Sequence, residues 1–164
     1  MVKKAQWNRL QYIIYSNTPF SFHTLVSSCE CNKLPMILGL GVDIVHISRF
    51  SRLLAKGKPF SDRLCQRILH PRELAKFRDL RSEAAARYLA GSWAAKEAVF
   101  KTLDESDQKT FEFNKWYKYS VGKKPSIGTD GAKDVFLLSV SHDNDMLIAT
   151  VLRQANLYLS INGV

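Results

Sequence analysis

The 164 residues carry 24 lysines and arginines against 15 acidic residues, a net charge of +9, and 46% of them are hydrophobic. That length suits one domain with a core large enough to need no disulfide staples, and no stretch approaches the ~18 consecutive apolar residues of a membrane-spanning helix. The positive surplus favours a polyanionic partner, leaving nucleic acid, an anionic membrane, a phosphorylated ligand or an acidic protein open.

Residues 1–35 differ in composition from the remainder of the chain. They hold Lys3, Lys4, Arg9 and Lys33 but one acid, Glu30, with many hydroxyls among them. A basic, hydroxyl-rich, acid-poor leader is the composition of an organellar transit peptide, so 1–35 is expected to be an extension and 36–164 the folded domain. Cys29, Cys31 and Cys65 are an odd number without framework spacing, which predicts reduced thiols and an intracellular compartment. Cys29 and Cys31 lack the second pair or histidine cluster that a zinc site requires.

Met36 to Ile47 is aliphatic and β-branched, interrupted by Gly39 and Gly41, with Asp43 as its only acid. It predicts a buried strand in which Asp43 needs a cation, a hydrogen-bond network or an open strand end. Ser48 is placed to cap a helix with Phe50, Leu53 and Leu54 inward and Arg49 and Arg52 outward, ending near Gly57-Lys58-Pro59. A second helix carries Phe60, Leu64 and Ile68 on one stripe, and Pro71 restarts the chain in a third, where His70 caps or packs rather than catalyses.

Ser82 opens a helix predicted to reach about Leu103, rich in alanine, in which Gly91 suggests a tight contact. At ~100° per residue Trp93 and Phe100 share a stripe, Glu97 stands at its edge, and Lys101 lies one turn beyond Glu97. Taken alone, Glu97 and Lys101 are an ordinary surface ion pair. Asp104 to Lys109 reads as a loop, Phe111 to Tyr119 as a strand with lysines outward before a turn at Gly122-Lys123-Lys124-Pro125, and Val135 to Arg153 as a hairpin turning at Asp143-Asn144-Asp145. In its first arm Ser139 and Ser141 share one face, and Val140 and His142 the other. One strand, then helices, then antiparallel strands make the class α+β.

If the long helix crosses the first strand, Asp43 and Glu97 converge. Two bare carboxylates about 4 Å apart repel by about 4 kcal/mol at an effective dielectric near 20, a penalty that a divalent cation removes. Oxygen ligands alone, and few of them, suit Mg²⁺, with Lys96 and Lys101 to neutralise phosphate charge.

Four segments in order are more specific: GLGVDIVHISRF from Gly39, ILHPREL from Ile68, ARYLAGSWAAKEAVFK from Ala86, and LLSVSHDNDMLIATV from Leu137. Together they resemble the phosphopantetheinyl transferases of the holo-[acyl-carrier-protein] synthase type, over Met36 to about Arg153. The resemblance implies Mg²⁺-dependent transfer of 4′-phosphopantetheine from coenzyme A to a serine of apo acyl carrier protein, releasing adenosine 3′,5′-bisphosphate. It places the metal on Asp43 and Glu97 and Lys101 against the pyrophosphate. Glu97, directly or through a metal-bound water, is then the base for the incoming hydroxyl, and Lys96 is implied as a coenzyme A or positioning residue. Ser141 and His142 fall near coenzyme A, Arg49 and Arg52 against the acidic carrier. It also implies a homotrimer, with a mitochondrial address for 1–35 or otherwise a cytoplasmic place. Trp93 stands where phenylalanine is common in the family, and the GKKP segment is a loose match to its pattern.

The alternative is a basic nucleic-acid-binding module without catalysis, drawing on the net charge and on the lysine-aromatic alternation around Trp116. It leaves Asp43 and Glu97 unexplained.

Overall fold

A computed structural model describes residues 36–156; the extension expected at 1–35, with Cys29 and Cys31, lies outside the described residues. Strand β1 (Ile37–His46) runs directly into helix α1 (Ile47–Leu54). Helices α2 (Lys58–Ile68), α3 (Pro71–Arg78), α4 (Ser82–Phe100) and α5 (Glu105–Lys109) come next, then β2 (Trp116–Val121), β3 (Lys124–Thr129), β4 (Val135–Asp143) and β5 (Met146–Gln154). The sheet order is β1-β5-β4-β3-β2, and every neighbouring pair is antiparallel. The fold is α+β.

The expected burial of β1 holds for one face only. Gly41 and Val45 are buried toward α4, while Leu40, Val42 and Ile44 point outward and are exposed. The cause is that β1 is an edge strand of a sheet covered on a single side, so alternate residues face water. With Ile148 of β5 and Leu137 of β4 they form an apolar outer surface.

Helix α4 packs on β1 and β5. Its buried residues are mostly alanines, Ala86, Ala90, Ala94, Ala95 and Ala98, joined by Leu89 and Val99. The close approach expected at Gly91 lies elsewhere. A Cβ on Gly91 would make ordinary contact with Leu147 and Lys118, at 3.5 and 3.6 Å, whereas one on Gly41 would sit 1.9 Å from the Ala98 carbonyl oxygen. Glycine in β1 and alanine in α4 thus bring strand and helix backbones together. Helix α4 ends at Phe100, three residues early, where Gln108 from α5 donates to the Phe100 and Leu103 carbonyls. These would otherwise be orphaned acceptors of the last turn.

Three local expectations change. Ser48 does not cap α1: His46 is the N-cap, and the Ser48 amide and hydroxyl both donate to Asp145 of the β4–β5 turn, at 2.7 Å each. Because strand and helix join without a turn, Ser48 falls inside the first helical turn, and a distant carboxylate takes the capping role. Secondly, Phe111 and Phe113 are not in the sheet. Phe113 belongs to a 3₁₀ turn (Phe113–Lys115) and stacks on Trp93, Phe111 packs edge-on against Phe100, and the strand starts only at Trp116. Thirdly, the expected loop at Asp104 to Lys109 contains α5, and the glycine turn is shorter, because Lys124 and Pro125 already belong to β3.

His70 does cap α3. Its Nδ1 accepts from the Arg72 amide at 3.2 Å while Glu73 Oε2 accepts from the His70 amide at 3.1 Å, a reciprocal pair that satisfies two free donors of the first turn.

Candidate active site at the crossing of β1 and α4

In β1 the residues facing α4 are Gly39, Gly41, Asp43 and Val45, so the carboxylate sits two residues beyond the closest backbone approach. From α4, Glu97 lies between Trp93 and Phe100 on a half-buried flank, and Lys101 caps the helix. Lys101 Nζ donates to Asp43 Oδ1 at 2.9 Å and to the Val42 carbonyl at 2.7 Å. Asp43 Oδ2 is buried and has no hydrogen-bond partner.

Burial raises the Glu97 carboxyl above its ordinary value, and the Asp43 carboxylate raises it further; Lys101 and Arg49 oppose the shift. The Glu97 carboxyl therefore senses the charges of Asp43, Lys101 and Arg49. Arg49 also lies over the Trp93 ring, 5.7 Å from its centroid, which ties α1 to the same flank.

The donor set fits a hard cation. It offers oxygen only, with one buried oxygen unpartnered and, in Glu97, a second carboxylate whose ionisation burial and the Asp43 charge oppose. Among the described residues no group of three or more histidines, cysteines and carboxylates gathers in one place. Asp43 and Glu97 are thus a two-carboxylate set, as befits Mg²⁺, which keeps several waters and takes further oxygens from a substrate.

Lys96 does not join this group. Its ammonium is 0% exposed and donates to Glu73 Oε2 at 2.5 Å and to the Ile68 carbonyl at 2.6 Å. Lys96 is next to Glu97, so it leaves the helix about 100° away and points into the protein. In this position it cannot neutralise a phosphate held at Glu97, which goes against that part of the expectation and leaves the positioning role untouched. Its partner Glu73 went unnoticed in the sequence, although its spacing from His70 is that of a capping box.

Ser141 and His142 lie on β4, with β5 between them and β1. They are exposed, Ser141 opposite Ile148 and His142 opposite Leu147. The structure does not bring them to Asp43. Arg49 and Arg52 are exposed on α1, as expected. An open pocket of about 540 Å³ adjoins Glu97's flank, with Trp93, Leu64, Ile68 and Phe113 in its wall.

The aromatic residues of the alternative reading are already engaged. Trp116 is buried against Phe136 and Phe111, Tyr117 packs on His70 under the Arg72 guanidinium, and Lys118 Nζ lies over Tyr88. Burial pushes the Lys118 ammonium down to about 8. A base-stacking platform needs free faces.

Residues 39–151 match the family model of the 4′-phosphopantetheinyl transferase superfamily. The chain belongs to this superfamily. Among its relatives is the holo-[acyl-carrier-protein] synthase of Geobacillus kaustophilus, 37% identical over 118 residues that cover 71% of this chain and 88% of that one. The mitochondrial holo-[acyl-carrier-protein] synthase of Eremothecium gossypii is 34% identical over 143 residues, covering 73% and 80%. The crystal structure of a holo-(acyl-carrier-protein) synthase from Bacillus anthracis, in complex with CoA (3′,5′-ADP), superposes with a TM-score of 0.61 at 26% identity, covering 74% of this chain and 99% of that one. This transferase is an enzyme of the holo-[acyl-carrier-protein] synthase type, and Asp43, Glu97 and Lys101 all fall within its matched residues.

Proposed function

We propose that this transferase moves 4′-phosphopantetheine from coenzyme A to a serine hydroxyl of an apo acyl carrier protein, with Mg²⁺ held by Asp43 and Glu97. The observation that carries the reading is the unpartnered, buried Asp43 Oδ2 beside a carboxylate whose proton affinity is raised and a lysine at the rim. The serine oxygen bonds to the phosphorus that bears pantetheine, and the bond from that phosphorus to the bridging oxygen breaks. Adenosine 3′,5′-bisphosphate departs, and the hydroxyl proton passes to Glu97. Lys101, exposed enough to turn outward, sets its charge against the pyrophosphate. When bound, Mg²⁺ supplies Lewis-acid polarisation of the phosphate oxygens. The nucleophile belongs to the carrier, so this chain needs no triad of its own.

Arg49 and Arg52, exposed on α1 next to the Trp93 pocket, supply the charge that draws an acidic carrier to Glu97. Ser141 and His142 are assigned to coenzyme A. The assembly is a homotrimer, supported by the apolar outer face of Leu40, Val42, Ile44, Leu137 and Ile148; light scattering that gives a monomer would overturn it. Residues 1–35 carry a mitochondrial address, supported by their composition and by the mitochondrial relative. A fluorescent fusion of 1–35 that stays diffuse in the cytosol would contradict this.

The central test is intact-mass measurement of apo carrier incubated with the protein, coenzyme A and Mg²⁺. A gain of one phosphopantetheine group is expected, and no gain with several carriers, the organism's own included, sinks the reading.

A further inference from the structure

Away from the Asp43 group, a buried polar cluster is centred on Glu73. Its Oε2 accepts from Lys96 Nζ and from the His70 amide, and its Oε1 accepts from the Lys118 amide at 3.2 Å. Lys96 donates in addition to the Ile68 carbonyl. The Lys96–Glu73 pair, its side chains 0% and 2% exposed, therefore joins the end of α2, the start of α3, the first half of β2 and the C-terminal part of α4. An ammonium held out of water needs partners for its protons, and a buried carboxylate needs donors for its oxygens. The cluster meets these needs in one arrangement.

Rings hold the flank of α4 that carries Glu97, Trp93 against Phe50 and Phe113 and Phe100 against Phe111, whereas its contact with β1 is made by small residues. Ala98 lies against Gly41 of β1 and Gly91 against Leu147 of β5, among further buried alanines. Such small residues allow close approach but interlock weakly, so they set a distance more firmly than an angle. Lys96 adds a directional tie on another side of the helix, because two hydrogen bonds fix its tip outside it. A rotation of about 10° moves a side-chain tip 5–6 Å from the axis by about 1 Å, a displacement that can cost a reaction about 10²-fold.

We propose that Glu73 is a positioning residue: by anchoring Lys96 it fixes the rotation of α4 and aims Glu97 at Asp43. The inference rests on the metal-assisted transfer proposed above. It accounts for a lysine next to the reactive glutamate that faces away from the substrate.

The test uses the full chain and two variants, Glu73→Gln and the double variant Glu73→Leu with Lys96→Met. The double variant removes both charges, and apolar replacement of a buried ion pair is often neutral or stabilising. Mn²⁺ binding is followed by electron paramagnetic resonance, beside thermal midpoints and steady-state transfer. Positioning predicts Mn²⁺ affinity lower by about 10-fold in both variants, as for the loss of groups that orient metal ligands. It also predicts kcat lower by about 10²-fold with the KM for coenzyme A within about twofold. The double variant should regain the wild-type midpoint without regaining affinity or kcat. If it binds Mn²⁺ and turns over like wild type, Glu73 is merely structural and the inference falls alone. If wild-type protein shows no Mn²⁺ binding that Asp43→Asn removes, the metal reading itself fails, and the inference with it.

Discussion

Lys96 and Lys101 leave the same helix five residues apart, and each meets a carboxylate. The Lys96–Glu73 pair has side chains 0% and 2% exposed and every oxygen of Glu73 occupied; the Lys101–Asp43 pair is 46% and 16% exposed and leaves Asp43 Oδ2 without a partner. The first pair is closed: it can tie and orient α4 but has no oxygen left for a ligand. The second keeps unused coordinating capacity next to Glu97, which is what binding a cation and a phosphate demands. Identical charge types thus do opposite jobs, and the deciding variable is whether hydrogen bonding is complete.

The largest effect should come from breaking the open side. Glu97→Gln is expected to lower transfer by about 10²–10⁴-fold, measured as the rate of carrier mass gain. Its stability should stay level or rise. The folded protein raises the Glu97 pKa, so it favours the protonated form, and the benefit of that form is lost as pH climbs through the raised value. A neutral amide removes this penalty at neutral pH, so a lower thermal midpoint for Glu97→Gln would contradict the account. In the metal-free protein the Glu97 carboxyl should titrate above the ordinary 4.5 by NMR, and added Mg²⁺ should bring it down. A titration that does not respond to Mg²⁺ would remove Glu97 as a ligand.

Next in size is the closed side. Lys96→Met leaves Glu73 as a buried, unpaired charge and should cost about 3–5 kcal/mol of unfolding free energy, readable by urea denaturation. A loss below about 1 kcal/mol would mean the pair is not buried in solution. Gly41→Ala disturbs the crossing that separates the two pairs. The new methyl meets a backbone oxygen that cannot swing aside, and overpacking of this kind costs about 1–3 kcal/mol. Activity should fall with stability, and an unchanged denaturation curve would deny the close contact. The smallest effect is expected for His70→Ala, about 1 kcal/mol for loss of a helix cap, with transfer per folded molecule unaltered; a large kcat loss at normal stability would give His70 a catalytic part.

Much of this architecture is legible in the chain's local patterns. The strand around Asp43, the alanine-rich helix carrying Glu97 and Lys101, the capping role of His70 and the closing hairpin are given by hydrophobic period, proline and glycine placement and motif wording. Local patterns report local structure because side-chain period and turn chemistry act within a few residues. Ser48 shows where that stops. Its local pattern suggests a cap, yet its amide and hydroxyl go to Asp145, ninety-seven residues away.

The sequence by itself determined the α+β class, the superfamily and the three residues at the β1–α4 crossing, since each is written in a contiguous motif. Only the tertiary structure decided that β1 is an edge strand, that the tight glycine is Gly41 and not Gly91, and that Lys96 turns inward to Glu73. Those outcomes depend on which segments meet. An ammonium one residue from the reactive glutamate looks like a phosphate ligand until the buried carboxylate that holds it is found on another helix.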